Sequence, residues 1–205
     1  MSISVPNFLN LSYLKSGNSR QQKAYDVLQN SPILSRLVGY SPLLAGTIPI
    51  DIDTETSDLD ILCQYSGPSH LFAEFLANLF SDLTEAVVYT KKTNQDRPME
   101  SVICRFSAYG FEFEIFGQPI SPTEQYGYLH MLSEYRLLAW SEVLTGRAKA
   151  REEIRKAKRS GEKTEPAFAK YFGLTGDPYL KLAELADASD EELRAIVTGR
   201  AQPTV

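Results

Sequence analysis

The chain has 205 residues, 43% of them hydrophobic and 23% charged, with a net charge of −5. That length buries one ample core and leaves room for a smaller appended unit, while the acidic balance excludes a general nucleic-acid coat. No apolar run approaches the roughly 18 to 20 residues of a transmembrane helix, and the opening Met-Ser-Ile-Ser-Val-Pro-Asn has neither the basic start nor the apolar core of a secretory signal.

In chain order, Ser19 suits the N-cap of a helix over 20–28, with Ala24, Val27 and Leu28 on one face. Ser31-Pro32 marks a second helix start, because proline suits the first helical position. A short buried strand follows over 41–45 and ends at Gly46; a second runs over 58–64, with Leu59, Ile61 and Cys63 opposite its acids. Leu71, Phe72, Phe75, Leu76, Leu79 and Phe80 recur at helical spacing and predict an amphipathic helix over about 69–82. Residues 85–93 and 101–109 are β-rich runs joined by the polar stretch 94–98. Tyr109-Gly110 then turns the chain into Phe111-Glu-Phe-Glu-Ile-Phe116, which alternates with period two. Beyond Pro122 the chain turns helical, beginning with a long helix whose apolar stripe is Tyr128, Met131, Leu132, Tyr135, Leu138 and Val143. Shorter helices are expected over 166–171, 178–186 and 190–197, the last opened by the capping-box spacing Ser189-x-x-Glu192.

This order predicts an α+β fold: a mixed sheet of four to five strands with flanking helices in residues 1–120, and a helical C-terminal portion, 121–205, packed on that core. Cys63 and Cys104 both lie in apolar runs, so they read as buried free thiols of a reducing, cytoplasmic protein with no membrane partner. Charge is segregated. Residues 147–163 carry a net +5, which leaves −10 on the rest of the chain.

The stretch richest in chemistry is Gly46-Thr47 followed, ten residues on, by Asp58-Leu-Asp60. Side chains alternate along a strand, so Asp58 and Asp60 share a face, and two close carboxylates repel unless a cation lies between them. Oxygen ligands of this kind suit a hard divalent cation such as Mg2+ or Mn2+. The plainer alternative is a solvated strand start. Glu112 and Glu114 share a face of the later strand, and either acid reaches the same cation if the two strands are neighbours. Three carboxylates would then hold one or two magnesium ions, which orient a triphosphate and neutralise charge developing during transfer. Glycine lets backbone N–H groups approach a phosphate, and Thr47 either adds a hydroxyl donor there or caps the following turn.

Gly-Ser/Thr, then about ten residues, then Asp-x-Asp on a strand, then an acid on a later strand resembles the signature of the DNA polymerase beta-like nucleotidyltransferase superfamily. More closely, Gly46-Thr-Ile-Pro-Ile50, Ser57-Asp-Leu-Asp-Ile61 and Glu114-Ile-Phe-Gly-Gln118 resemble an uncharacterised bacterial domain family placed within it. Tyr13-Leu-Lys-Ser-Gly-Asn18, Arg20-Gln-Gln22, His130-Met131 and Arg136-Leu-Leu138 share that likeness, which spans about residues 12–140. The resemblance implies a nucleotidyltransferase-like fold and metal-dependent transfer of a nucleotidyl group from a nucleoside triphosphate to an unidentified hydroxyl. In it, Asp58, Asp60 and Glu114 bind Mg2+ or Mn2+, Glu114 helps to deprotonate the acceptor, and Gly46 and Thr47 hold the β and γ phosphates. Arg136 is a further phosphate candidate, or else a partner for a carboxylate near Glu134.

This sequence departs from the superfamily pattern in two ways. The third acid is a glutamate where aspartate is usual. The segment after Gly46-Thr47 carries Asp51, Asp53 and Glu55 and no lysine or arginine before Asp58, a poor cradle for a triphosphate unless a metal or distant arginines offset it. An EF-hand reading of Asp51-x-Asp53-x-Glu55 fails, because its sixth position is Thr56 and its twelfth Leu62. A nuclease reading fails because the acid at Glu112 is followed by Glu114 where lysine is needed. Two other function classes stand beside the enzyme: an inactive relative that binds a nucleotide or a partner without turnover, and a nucleic-acid-binding module using residues 147–163. The second is not favoured, because the segment lacks interleaved aromatics and carries Glu152 and Glu153 at ion-pairing distance along a helix. Lys91, Lys92, Arg97 and Arg105 are remaining phosphate candidates whose plain role is surface charge. His70 and His130, with no partner at metal spacing, read as surface or hydrogen-bonded histidines.

Overall fold

The computed structural model describes residues 3–83, 86–92, 99–146 and 148–201. Its α+β architecture matches the expected class: five strands in one mixed sheet, with helices before, between and after them. The strands are β1 (Leu43–Ala45), β2 (Leu59–Gln64), β3 (Val87–Lys92), β4 (Glu100–Ala108) and β5 (Phe111–Gln118), in spatial order β1-β2-β5-β4-β3. Only β2 and β5 run parallel; the other neighbours are antiparallel. The helices are α1 (Ser19–Asn30), α2 (Ile33–Arg36), α3 (Ser69–Leu79), α4 (Tyr126–Thr145), α5 (Lys149–Arg159), α6 (Thr164–Phe172), α7 (Pro178–Leu185) and α8 (Asp190–Ala201). No described helix is long and apolar enough to cross a membrane.

The chain divides into two compact units. A sheet unit comprises 7–49 and 56–128, and a helical unit comprises 1–6, 50–55 and 129–205. The six-residue excursion 50–55 thus belongs with the helices although both of its flanks belong with the sheet.

In the sheet unit, alternation decides which face is buried. Leu59, Phe113 and Phe106 lie in one cross-strand row, and Ile61, Ile115 and Cys104 in the next. These rows join Ala24, Leu28, Ile33, Phe72, Leu76 and Phe80 of α1, α2, α3 and the residue after it in one apolar core. The expected thiols are buried and free; burial pushes the Cys63 thiol up to about 12 and that of Cys104 to about 11. Tyr109 and Gly110, at φ 53° and 77°, form the two-residue turn between β4 and β5, the left-handed pair that such hairpins need.

Three local expectations shift. The α1 N-cap is Asn18, one residue before Ser19: its side chain accepts from the Arg20 and Gln21 N–H groups while Gln21 reaches back to the Asn18 N–H, a full capping box. β1 starts at Leu43, because Ser41 takes a left-handed conformation at φ 51°. α4 buries more than a stripe, since His130, Ser133, Glu134 and Ser141 are inside along with Met131, Leu137, Leu138 and Trp140. The predicted stretch 94–98, with Arg97, lies outside the described residues, as does Arg147.

In the helical unit, Ser189 and Glu192 form the predicted capping box of α8. Asp177 caps α7 by accepting from the Tyr179 and Leu180 N–H groups.

Candidate functional site

The second face of the sheet carries the acids. Asp60 on β2 pairs in register with Glu114 on β5, and Glu114 pairs with Arg105 on β4, whose own partner is Val87 on β3. On the other side of Asp60, Ala45 of β1 completes the row. Asp58 stands two residues before Asp60, hence on the same face. The two acid-bearing strands are therefore direct neighbours, and Asp60 and Glu114 stand side by side.

Their carboxylates nevertheless turn apart. The Asp60 carboxylate lies against Gly46, where a Cβ on that glycine would collide with Oδ2. Gly46 also sits at φ +83°, so both its conformation and its neighbour demand glycine. Glu114 turns the opposite way, toward Arg105: Nε donates to Oε2 at 2.6 Å, and Nη2 meets the same oxygen. Like-charge repulsion in the row favours this divergence. The hydrogen bond to Glu114 is the main cause holding the Arg105 guanidinium charged, and Asp58 contributes to the same field. Glu112 is exposed and accepts from the Ser107 hydroxyl at 2.5 Å, one row further on.

The donor chemistry of Asp58, Asp60 and Glu114 suits a hard cation; the side-chain arrangement does not yet gather it. Among the described residues no three His, Cys, Asp or Glu side chains form a group that would hold a metal ion. The physical reason is the direction of Glu114, whose oxygen is taken by a guanidinium.

Sequence reasoning missed what braces the Gly-Thr half of the motif. The side chain of Gln21, buried at the start of α1, donates to the Ile48 and Pro49 carbonyls at 2.8 and 3.1 Å. Arg20 donates to the Ser57 carbonyl at 2.6 Å, and the Thr47 hydroxyl donates to that of Ser57 at 3.2 Å. One helix N-terminus thus ties down the chain as it leaves Thr47 and as it returns before Asp58. The signal was present as the cap spacing Asn18-x-x-Gln21.

The intervening acidic segment has its charge answered within the helical unit. Arg151, Arg155 and Arg159 recur every fourth residue on α5 and so share a face. Arg151 donates to the Ile50 carbonyl and pairs with Glu142. Arg155 bonds both the carbonyl and the carboxylate of Asp51, a residue at φ 57°. Arg159 takes Glu55 with two contacts, at 3.0 and 3.3 Å. Distant arginines therefore supply the offset that the acidic segment needs: Arg155 and Arg159 of the basic 147–163 stretch answer its acids, while Arg151 holds its Ile50 carbonyl.

Arg136 belongs to the helical unit, where it donates to the Ala186 carbonyl at 3.0 Å and pairs with Asp190 at 3.1 Å. Of its two readings, the structure displays the carboxylate partner, with Asp190 in place of a group near Glu134. His130 is buried: Nε2 donates to the Tyr179 carbonyl at 2.9 Å, and Nδ1 faces Glu165 at 3.3 Å. Close by in the same unit, Glu134 is fully buried, and burial pushes its carboxyl well above the usual range, with Glu165 adding to the rise and Lys158 opposing it. His70 is exposed.

Fold and site together define an α+β domain with a paired-acid row on one sheet face beside a glycine-braced loop. Residues 26–185 match the family described as Domain of unknown function (DUF4269), and the chain belongs to that family. A comparison with curated proteins finds no match.

Proposed function

We propose that this protein is a metal-dependent nucleotidyltransferase that moves a nucleotidyl group from a nucleoside triphosphate to a hydroxyl acceptor. The observation that carries the reading is the register of Asp60 beside Glu114 on parallel neighbours, with Gly46 packed against the Asp60 carboxylate. In this reading Asp58, Asp60 and Glu114 are the ligands of Mg2+ or Mn2+. A divalent ion so held neutralises charge on the phosphates and fixes their orientation. Gly46 and Thr47 would hold the β and γ phosphates: the positive-φ backbone of Gly46 admits close approach, and the Thr47 hydroxyl would turn from Ser57 to donate to a phosphate oxygen. Glu114, beside Asp60 in the row, takes the proton of the attacking hydroxyl.

A second reading, nucleotide or partner binding without turnover, is favoured by the Arg105–Glu114 ion pair. It keeps the triphosphate site and dispenses with the third ligand. One titration tests both. Mn2+ binding is followed by electron paramagnetic resonance, and each Mg-nucleoside triphosphate by calorimetry, in the wild type, Asp58→Asn/Asp60→Asn and Glu114→Gln. The transferase reading expects metal-dependent nucleotide binding that both variants lose. Binding lost only in the double variant favours the non-catalytic reading. Equal binding in all three proteins removes the site from both.

A further inference from the structure

Between Gly46 and Asp58 the chain offers a phosphate no cationic side chain, and the arginines facing the acidic segment are engaged with it. The acid row itself contains one cation. Arg105 stands directly across from Glu114, with its side chain 60% exposed while that of Glu114 is 18% exposed. Nε and Nη2 both meet the single oxygen Oε2, so much of the guanidinium edge still faces solvent. Nor does the edge strand shield it, since its register partner Val87 is itself 57% exposed.

We propose that Arg105 is the cation with which this site grips the phosphate chain of a nucleoside triphosphate, and that Glu114 holds it in reserve. The proposal rests on the transferase reading above. Glu114 occupies the middle of the row, between Asp60 and Arg105, and can serve either side. Turned to Arg105, it satisfies the guanidinium and leaves Asp58 and Asp60 short of a third ligand. Turned to Asp60, it completes a three-carboxylate set and frees a planar fork of donors that matches phosphate oxygens. Glu114 and Arg105 each exchange one opposite partner for another: Glu114 trades the guanidinium for the cation, and Arg105 trades the carboxylate for a phosphate. An ion pair this exposed is weak enough to exchange readily. The absence of a three-acid group among the described residues and the missing phosphate cation then have one cause.

The test uses the full chain with two probes, Mn2+ alone and inorganic tripolyphosphate alone, and then the two together. Arg105→Gln is expected to tighten Mn2+ binding several-fold, since Glu114 has lost its competing partner, and to weaken tripolyphosphate by about tenfold or more. Arg105→Lys should restore part of the phosphate affinity. Losing a positive charge also favours a nearby cation through the field alone, so the exchange is read from a double-variant cycle: with Glu114→Gln already in place, Arg105→Gln should tighten Mn2+ far less than it does in the wild type. Unchanged tripolyphosphate affinity in Arg105→Gln, in a protein that still binds Mn2+ through Asp58 and Asp60, overturns the proposal and leaves the transferase reading intact. Mn2+ binding indifferent to Asp58→Asn/Asp60→Asn overturns the metal reading instead. Weaker or unchanged Mn2+ binding in Arg105→Gln refutes the exchange.

Discussion

Carboxylates meet arginines in two regions of this chain, and the two settings differ in kind. In the helical unit Asp51, Glu55 and Glu142 each have their own arginine from α5, and Arg151 and Arg155 also bond main-chain carbonyls of the 50–55 segment. In the sheet unit Asp58, Asp60 and Glu114 share a face with one arginine, which bonds a single carboxylate oxygen and is largely exposed. The first pattern fixes a backbone path: each of these arginines is matched to acceptors on the segment or beside it. The second gathers three acids on one half-buried face whose arginine still turns most of its side chain to solvent, an arrangement that a ligand can complete.

The sharpest way to break this comparison is to remove a guanidinium from the helical unit. Arg151 is buried, and Arg151→Met leaves the Ile50 carbonyl and Glu142 without their partner. A loss of about 2–4 kcal/mol is expected, because an abandoned buried polar group costs more than the pair gained. Urea denaturation followed by circular dichroism measures it. A loss under about 1 kcal/mol would mean that these contacts decorate the segment without fixing it.

Gly46 comes next. Alanine there meets both a left-handed backbone and the Asp60 carboxylate, for an expected cost of about 2–3 kcal/mol. Gly67 is the control: it lies in the same unit at φ +79°, and an added methyl there would meet nothing within 4 Å. Its alanine variant should lose only about 1 kcal/mol. Equal losses at the two positions would show that Asp60 yields freely, and the brace on that carboxylate would vanish from the comparison.

How far each region could be read in advance follows from the same physics. Strand faces were legible because burial alternates with period two, so Leu59, Ile61 and Phe113 separate from Asp60 and Glu114 without any tertiary knowledge. Even the Arg105–Glu114 pairing was within reach. A two-residue turn at Tyr109-Gly110 sets Ala108 opposite Phe111, and counting back along both strands brings Arg105 opposite Glu114. That β2 lies beside β5 was not legible, since a parallel pair is joined by a long crossover and no local turn fixes its register. The α5 contacts were further still from view: Arg155 and Asp51 are 104 residues apart, and a basic helix looks the same whether it faces solvent or an acidic segment. The polar interior of α4 was hidden for a like reason, because His130 and Glu134 find their surroundings on other helices.

Glu134 sharpens the comparison from the other side, as a carboxyl of the helical unit whose acidity is shifted chiefly by burial. Its folded-state pKa is raised, chiefly by burial, with Glu165 adding to the rise and Lys158 opposing it. The folded state therefore holds this proton after the unfolded chain has released it near the ordinary 4.5. Glu134 costs nothing below that pH, and stability is lost as the pH climbs from there toward the raised value. Glu134→Gln, which copies the protonated shape, should change stability least below the ordinary 4.5 and become progressively more stabilising relative to the wild type as the pH rises above it. Urea midpoints at three pH values test it. A pH-independent difference would mean that the carboxyl ionises in place.

The smallest expected effect tests the sheet unit most directly. Arg105→Gln breaks an ion pair whose guanidinium is mostly in water, so folding stability should move by less than about 0.5 kcal/mol, against the severalfold larger loss at Arg151. Each substitution removes one arginine from one or two carboxylate contacts; what differs is whether the structure depended on it. Should Arg105→Gln unfold as easily as Arg151→Met, the guanidinium would be a brace for β4 and β5, and Glu114 would not be free to change partners. If stability holds while the Mn2+ and tripolyphosphate affinities move in opposite directions, the charge on this face is there for a ligand. A stability measurement and a binding measurement on one variant thus separate an arginine that holds the fold from one that waits on its surface.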